Sequence, residues 1–189
     1  MESPTIFSWS DPPSTASRVP EVQLPQFLLP GEVAFGGRQL RLHTLLGSCV
    51  ALVFWDPKRL LGGMCHFMLP QRRRRSGAVL DGRYAVEALE LMFAAMYRAG
   101  VSPEQFRVGM FGGGNMFPEA QSGHQAHVGL QNLSAAQRLI QLNGLRCDVR
   151  HVGGWGYRNL VFEVGNGRLQ LNHMDSLQSP GQLPGSNGL

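Results

Sequence analysis

Hydrophobic and polar positions follow two different periods along this chain, and the changes of period mark its elements. Short apolar runs bounded by turn residues predict strands near residues 32–35, 39–46, 49–55 and 60–69. A helical period follows. Ala85, Val86, Leu89, Met92, Phe93 and Met96 form one apolar stripe, so a helix is expected to start from a cap at Asp81, run to about Arg98 and end at Gly100. This methionine-rich stripe reads as core, not as a ligand surface. Residues 106–111 then predict a strand leading into Gly112-Gly113-Gly114-Asn115. A second helix is expected over about 129–142, stopped by Asn143-Gly144. Strands near 145–152, 159–164 and 168–172 complete the pattern, the last two joined by the hairpin signal Gly165-Asn166-Gly167. Strands dominate and two principal helices stand out, which is an α+β pattern with no internal repeat.

The ends of the chain break both periods. Pro4, Pro12, Pro13, Pro20, Pro25 and Pro30 interrupt any helix or strand, so residues 1–30 are expected to form a flexible or surface-wrapped extension. Residues 175–189, with Pro180, Gly181, Pro184 and Gly185, read as a flexible tail. Residues 31–174 remain as one folded domain. A chain of 189 residues that is 43% hydrophobic can bury one substantial core. Its charge is mild: 17 basic against 13 acidic residues give +4, and the pI is near 9.4. That balance suits an acidic partner surface and does not indicate nucleic acid. The three cysteines are odd in number and lack CxxC spacing, as expected of reduced thiols in a cytoplasmic protein. No apolar run approaches the roughly 18 residues of a membrane span, so no membrane insertion is expected.

The candidate chemistry lies in the middle strands. Cys49 follows Gly47-Ser48 at the head of one apolar run, and His66 lies near the end of the next. Asp56-Pro57-Lys58-Arg59 is a strong turn signal between them. If these four residues form the loop, Trp55 faces Leu60 and Cys49 faces His66, with Cβ atoms about 5 Å apart. A nucleophile then stands beside a base, and His66 is expected to lower the thiol pKa. Gly47 and Ser48 leave backbone N–H groups accessible for an oxyanion, and Gly62-Gly63 is expected to leave room for a substrate chain. The bland alternative is a buried thiol and a satisfied core histidine. By strand alternation Cys65 points away from His66 and reads as packing.

Three segments carry a resemblance. Thr44-Leu-Leu-Gly-Ser-Cys-Val-Ala-Leu, Gly62-Gly-Met-Cys-His-Phe-Met-Leu-Pro and Phe111-Gly-Gly-Gly-Asn-Met-Phe resemble the signature blocks of the CheD family, the chemoreceptor glutamine deamidases of bacterial chemotaxis. Arg83-Tyr84-Ala85, Val128-Gly129 with Asn132, and Val152-Gly153-Gly154 agree, over residues 32–171. The resemblance implies a layered sandwich of mostly antiparallel strands flanked by two helices. It implies a protein-glutamine glutaminase, a hydrolase with Cys49 as nucleophile, His66 as base and Thr44 as third member. Gly47, Ser48, Gly113 and Asn115 are expected to hold the oxyanion or substrate. Family members often carry the threonine six residues before the cysteine, where this chain has His43, so His43 and Thr44 both stay open. The implied partners are chemoreceptor cytoplasmic domains and a CheC-type phosphatase, with no cofactor and no metal. A non-catalytic module that docks on receptors or regulates such a phosphatase is the competing class, and glutamate methyl-ester hydrolysis is chemically adjacent.

Other motifs change little. Gly112-Gly113-Gly114 lacks the GxGxxG or Gly-Lys-Ser/Thr context of a phosphate loop, so a tight turn is the simpler reading. His124-x-x-His127 has no third ligand at convincing spacing. Arg72-Arg73-Arg74-Arg75 reads either as a solvated loop or as a docking patch for an acidic surface.

Overall fold

Some strands of this protein are apolar throughout and others alternate, and the difference tells which layer each occupies. A computed structural model describes residues 4–7, 9, 23–116 and 124–174, with residues 124–127 as backbone only. Its strands are β1 Thr5–Phe7, β2 Leu24–Phe27, β3 Val33–Gly36, β4 Leu40–Leu46, β5 Val50–Asp56, β6 Leu61–Phe67, β7 Arg107–Gly112, β8 Arg146–Val152, β9 Tyr157–Glu163 and β10 Arg168–Met174. Its helices are α1 Ala85–Arg98 and α2 His124–Leu142. One sheet has the order β1-β10-β9-β4-β2, the other β3-β6-β5-β7-β8. Among the described strands, only β2–β4 and β7–β8 pair in parallel.

Every residue of β5 is buried, because its sheet is the middle layer. Val50, Leu52 and Phe54 face the helices and meet Leu89, Met92, Met96 and Ile140. Ala51, Val53 and Trp55 face the other sheet and meet Leu42, Leu160, Phe162 and Leu171. In the outer sheet β9 alternates instead, with Arg158, Leu160 and Phe162 turned inward. The architecture is therefore an α+β layered sandwich, sheet on sheet with α1 and α2 on one side.

Three local expectations differ from the structure. The helix expected to be capped by Asp81 begins at Ala85, and its N-cap Tyr84 makes no side-chain capping bond. The Asp81 carboxylate is held by Arg83, at 2.6 Å, and this pairing keeps its pKa down at about 2. Residues 5–7 and 24–27 are strands, although their prolines predicted none. Both are edge strands, where a missing N–H costs no ladder bond. Trp9 is also built into the core. Its indole lies 5.5 Å from that of Trp55, and its Nε1–H donates to the Gly167 carbonyl at 2.6 Å. The expected tail over 175–189 lies outside the described residues.

The third difference is the hairpin register. Asp56 stays in the strand opposite Leu61, and the loop is 57–60, one residue later than expected. The Asp56 carboxylate accepts the Lys58 and Arg59 amides at 2.8 and 3.2 Å, which closes the turn after Asp56, and Leu60 takes a positive φ of 52°. His66 therefore faces Ala51, not Cys49. The slip is two residues, so Cys49 stays on the face that carries His66, as a diagonal neighbour.

Candidate active site

Thr44 and His66 approach from opposite sheets. Leu42, Thr44 and Leu46 are the inward positions of β4, while His66 is an inward position of β6. The Thr44 Oγ1 lies 2.9 Å from His66 Nδ1 and donates to the Leu28 carbonyl at 2.8 Å. A hydroxyl has one proton, so with that proton on Leu28 the threonine oxygen must accept from His66. Nδ1 is thus the protonated nitrogen, and the Leu28 carbonyl at 3.4 Å supports the same tautomer. Nε2 keeps its lone pair, is buried, and has no hydrogen-bond partner among the described residues. A base with one nitrogen oriented and the other unengaged is what proton abstraction needs.

His43, the alternative to Thr44, points to the other face of β4. Its Nε2 bonds the Asn159 side chain, and its ring meets Phe27 edge-on at 4.9 Å. Geometry thus brings Thr44 to the imidazole and leaves His43 outside.

Cys49 stands just before β5, half-buried, on the inter-sheet side. Its loop is held by the glycine turn after β7. The Gly113 N–H donates to the Cys49 carbonyl at 2.7 Å and the Gly114 N–H to the Gly47 carbonyl at 2.8 Å. Gly113 has φ of 65°, and a Cβ there would lie 2.4 Å from Leu133 Cγ, so no other residue fits. The Gly113 amide is therefore occupied in holding the Cys49 loop. Asn115 continues the turn: its N–H donates to the Gly154 carbonyl at 2.8 Å, and its carbonyl accepts from Gly156 at 3.0 Å. Met116 lies over Gly47, where a Cβ would come 2.7 Å from its sulfur.

Burial sets the protonation of the pair. It pushes the Cys49 thiol up from its ordinary value, partly opposed by the residue's own N–H, and pushes His66 down, partly opposed by the Leu28 carbonyl and the charge of Glu32. The resting pair is a neutral thiol beside a neutral imidazole. The expected lowering of the thiol pKa by His66 is not what the structure shows: burial raises it, and the opposing contribution comes from the residue's own N–H.

Cys65 faces the helices, fully buried, with its thiol pushed up to about 12. Gly62 and Gly63 do not open a substrate channel. A Cβ at Gly62 would meet the Phe54 carbonyl and the Phe162 ring, and one at Gly63 would lie 2.4 Å from the Ala34 carbonyl, so both glycines permit close packing. The arginine run divides. Arg72 pairs with Glu87 at 2.8 Å and Arg74 with Glu90 at 2.7 Å, while Arg73 and Arg75 are exposed and have no acidic partner among the described residues. No cluster of three metal-ligating side chains occurs among the described residues, and the side chains of His124 and His127 lie outside them.

Sequence reading did not assign two residues a place in the site. Asn132 of α2 is fully buried and donates to the Ser48 and Met68 carbonyls. Its signal is an amide in line with Ala136 and Ile140 on the apolar face of a helix. Arg158 of β9 is buried between the sheets, with Nε donating to His151 at 2.9 Å. Its signal is a charge at an inward position of an alternating strand.

A family model described as CheD chemotactic sensory transduction matches residues 68–173. The chain belongs to the CheD family. It is 46% identical over 145 residues to a probable chemoreceptor glutamine deamidase CheD of Pseudomonas savastanoi pv. phaseolicola, covering 76% of this chain and 81% of the relative. A probable chemoreceptor glutamine deamidase CheD 3 of Dechloromonas aromatica is 42% identical over 145 residues, 77% and 85% of the two chains. A probable CheD 1 deamidase of Chromobacterium violaceum is 34% identical over 160 residues, 85% and 82%. The family model begins two residues after His66, but a match over 76% of this CheD-family chain spans both Cys49 and His66 wherever it ends. Among the described residues no helix is long and apolar enough to cross a membrane.

Proposed function

We propose that this chain is a chemoreceptor glutamine deamidase that uses Cys49 as nucleophile and His66 as base, with Thr44 fixing the imidazole. The observation that carries the reading is the placement of His66 Nδ1 against Thr44 and Leu28, which assigns the tautomer. Thr44 and Leu28 hold the Nδ1 proton of His66, and Nε2 is left buried and unengaged on the face shared with Cys49.

Nε2 takes the proton from the Cys49 thiol as sulfur attacks the side-chain carbonyl carbon of a substrate glutamine. Because both groups rest neutral, transfer accompanies attack and does not precede it. The tetrahedral oxyanion is met by the N–H groups of Ser48 and Cys49, beside Gly47, and one such donor is worth about 3 kcal/mol. Gly113 and Gly114 act by holding that loop, and Asn115 ties their turn to Gly154 and Gly156. The imidazolium returns its proton to the leaving nitrogen, ammonia departs, and a thioester remains. Water, deprotonated by the same Nε2, cleaves it to glutamate and the thiol. These steps call for no metal and no organic cofactor.

The substrate is the cytoplasmic domain of a chemoreceptor, and the enzyme works in the cytoplasm. A CheC-type phosphatase is a second partner of this reading, to be sought by co-elution with the purified protein. The function is tested by incubating the protein with a receptor cytoplasmic fragment. Ammonia release with an amide-to-acid mass change on glutamine is expected from wild type, Cys65→Ala and Cys147→Ala, and none from a folded Cys49→Ala. Binding without deamidation by wild type would instead support the non-catalytic module.

A further inference from the structure

We propose that Asn132 is a positioning residue that sets the gap between the strand ends carrying Cys49 and His66. The inference rests on the deamidase reading above. The β5–β6 ladder ends at Val50 opposite Phe67, and the chains then part. The Met68 N–H turns to the Arg83 carbonyl at 3.0 Å, while the Cys49 carbonyl takes the Gly113 N–H at 2.7 Å. Asn132 enters where they separate. Its Nδ2 donates to the Ser48 carbonyl at 3.0 Å and to the Met68 carbonyl at 2.9 Å. An amide nitrogen has two protons, one for each. The first carbonyl belongs to the residue before the nucleophile, the second to the residue two after the base.

Among the described residues the side chain has no other partner: it is fully buried, and its Oδ1 accepts no hydrogen bond from them. The opposite amide orientation would set that oxygen against two carbonyl oxygens, so the two acceptors fix the assignment. A buried residue that leaves its own acceptor unsatisfied is retained for its donors. The helix delivers them from a fixed height. A Cβ at Gly129, one turn earlier on the same face, would lie 2.7 Å from the Gly113 carbonyl, and Leu133 covers Gly113. The α2 backbone is thus seated on the turn that holds Cys49, and Asn132 measures the distance from that seat to both strand ends. Nothing on α2 needs to touch substrate for this.

The test uses Asn132→Leu, which keeps the number of heavy atoms and removes both donors, and Asn132→Asp, which turns oxygens toward both carbonyls. With the receptor fragment, kcat is expected to fall about 100-fold, the loss typical of a displacement near 1 Å in a catalytic pair, with KM changed less than threefold. Iodoacetamide inactivation at Cys49 at neutral pH should slow toward the rate of His66→Ala. Adding Asn132→Leu to His66→Ala should change that rate no further, because Asn132 then has no base to position. Cys65 should stay protected throughout, which reports an intact core. Wild-type kcat and alkylation in the folded variants would overturn the proposal, as would losses that simply add in the double variant. Failure of both variants to fold would also overturn it, since Asn132 would then hold the fold and not the gap. If wild type itself does not deamidate the fragment, the deamidase reading fails, and the alkylation cycle still decides whether Asn132 couples to the pair.

Discussion

Thr44→Val is the sharpest perturbation of the site, because it removes one oxygen and almost no volume. That oxygen accepts from His66 Nδ1 at 2.9 Å and donates to Leu28 at 2.8 Å, so two hydrogen bonds disappear. One is recovered. The Leu28 carbonyl, freed of the threonine proton, already lies 3.4 Å from Nδ1 and needs a shift of about half an ångström to accept from it. The net loss is one buried hydrogen bond, about 0.5–1.5 kcal/mol, and a chain of this length should melt a few degrees lower, at about 2–4 °C per kcal/mol.

The kinetic cost follows from the same geometry. Were the tautomer lost, the expected fall in kcat would be near 10⁴, as when the orienting group of a triad is made to hold the wrong imidazole tautomer. Here Leu28 keeps the proton on Nδ1 and only the ring moves. A displacement of this order costs at most about 10², or about 2.7 kcal/mol of barrier. The assay is steady-state ammonia release from the receptor fragment, with thermal melting in parallel. Thr44→Val should keep KM, lose about 10- to 100-fold in kcat, and keep the acid limb of its pH profile. A kcat within twofold of wild type would remove Thr44 from the machinery. A fall of 10⁴ would refute the argument differently, by showing that Leu28 does not hold the tautomer.

Four further outcomes are expected. Replacing Arg73 and Arg75 with Ser should raise KM for the receptor fragment and flatten its salt dependence with kcat unchanged, whereas Arg72→Ser should lower Tm, because it strands the buried Glu87. Since His66 must be neutral to act and burial holds its pKa below 6.5, kcat/KM should stay flat on acidification past 6.5 and fall only below it. By linkage, stability should decline as pH drops below 6.5, where the unfolded histidine binds a proton that the folded one refuses, and should decline again above the ordinary thiol range, where unfolded Cys49 and Cys65 ionise first; melting at several pH values checks both limbs. Trp9→Ala should cost about 3–5 kcal/mol in chemical denaturation, and a value under 1 would show that the segment rests on the core without supporting it.

Much of this architecture is legible because burial writes itself into residue order. The unbroken apolar run from Val50 to Trp55 and the alternation around Leu160 and Phe162 separate a middle layer from an outer one. The hairpin register differs from the expected one by two residues, since the sequence marks a turn near Asp56-Pro57 but does not say that the Asp56 carboxylate reaches forward and closes the turn beyond itself. Cys49 keeps its expected face only because the difference is even. Residues 5–7, Trp9 and residues 24–27 depart from the expectation for another reason. Proline excludes a central strand but not an edge, and which strands lie at edges depends on pairing across the whole chain. Trp9 was the available warning, a large apolar ring amid serine and proline.

The distribution of labour around Cys49 explains why its chemistry was easier to read than its support. In the proposed mechanism Cys49, His66 and Thr44 act through side chains, and side chains are what a sequence spells out. Their support is mostly backbone. The carbonyl of Leu28 holds the threonine proton, amides of Gly113 and Gly114 hold the nucleophile loop, and carbonyls of Ser48 and Met68 receive Asn132. Any residue has such groups, so no residue type announces them. The exceptions are informative. Gly113 is legible because its φ and the closeness of Leu133 forbid a side chain, and Asn132 because an amide on an apolar helix face must have something to donate to. A reactive pair buried enough to rest uncharged gains little from a preformed ion pair, so its rate depends on how well those amides and carbonyls fix the gap. On this account, substitutions that move backbone near residues 47–49 or 113–115 should damage catalysis more than their effect on stability suggests.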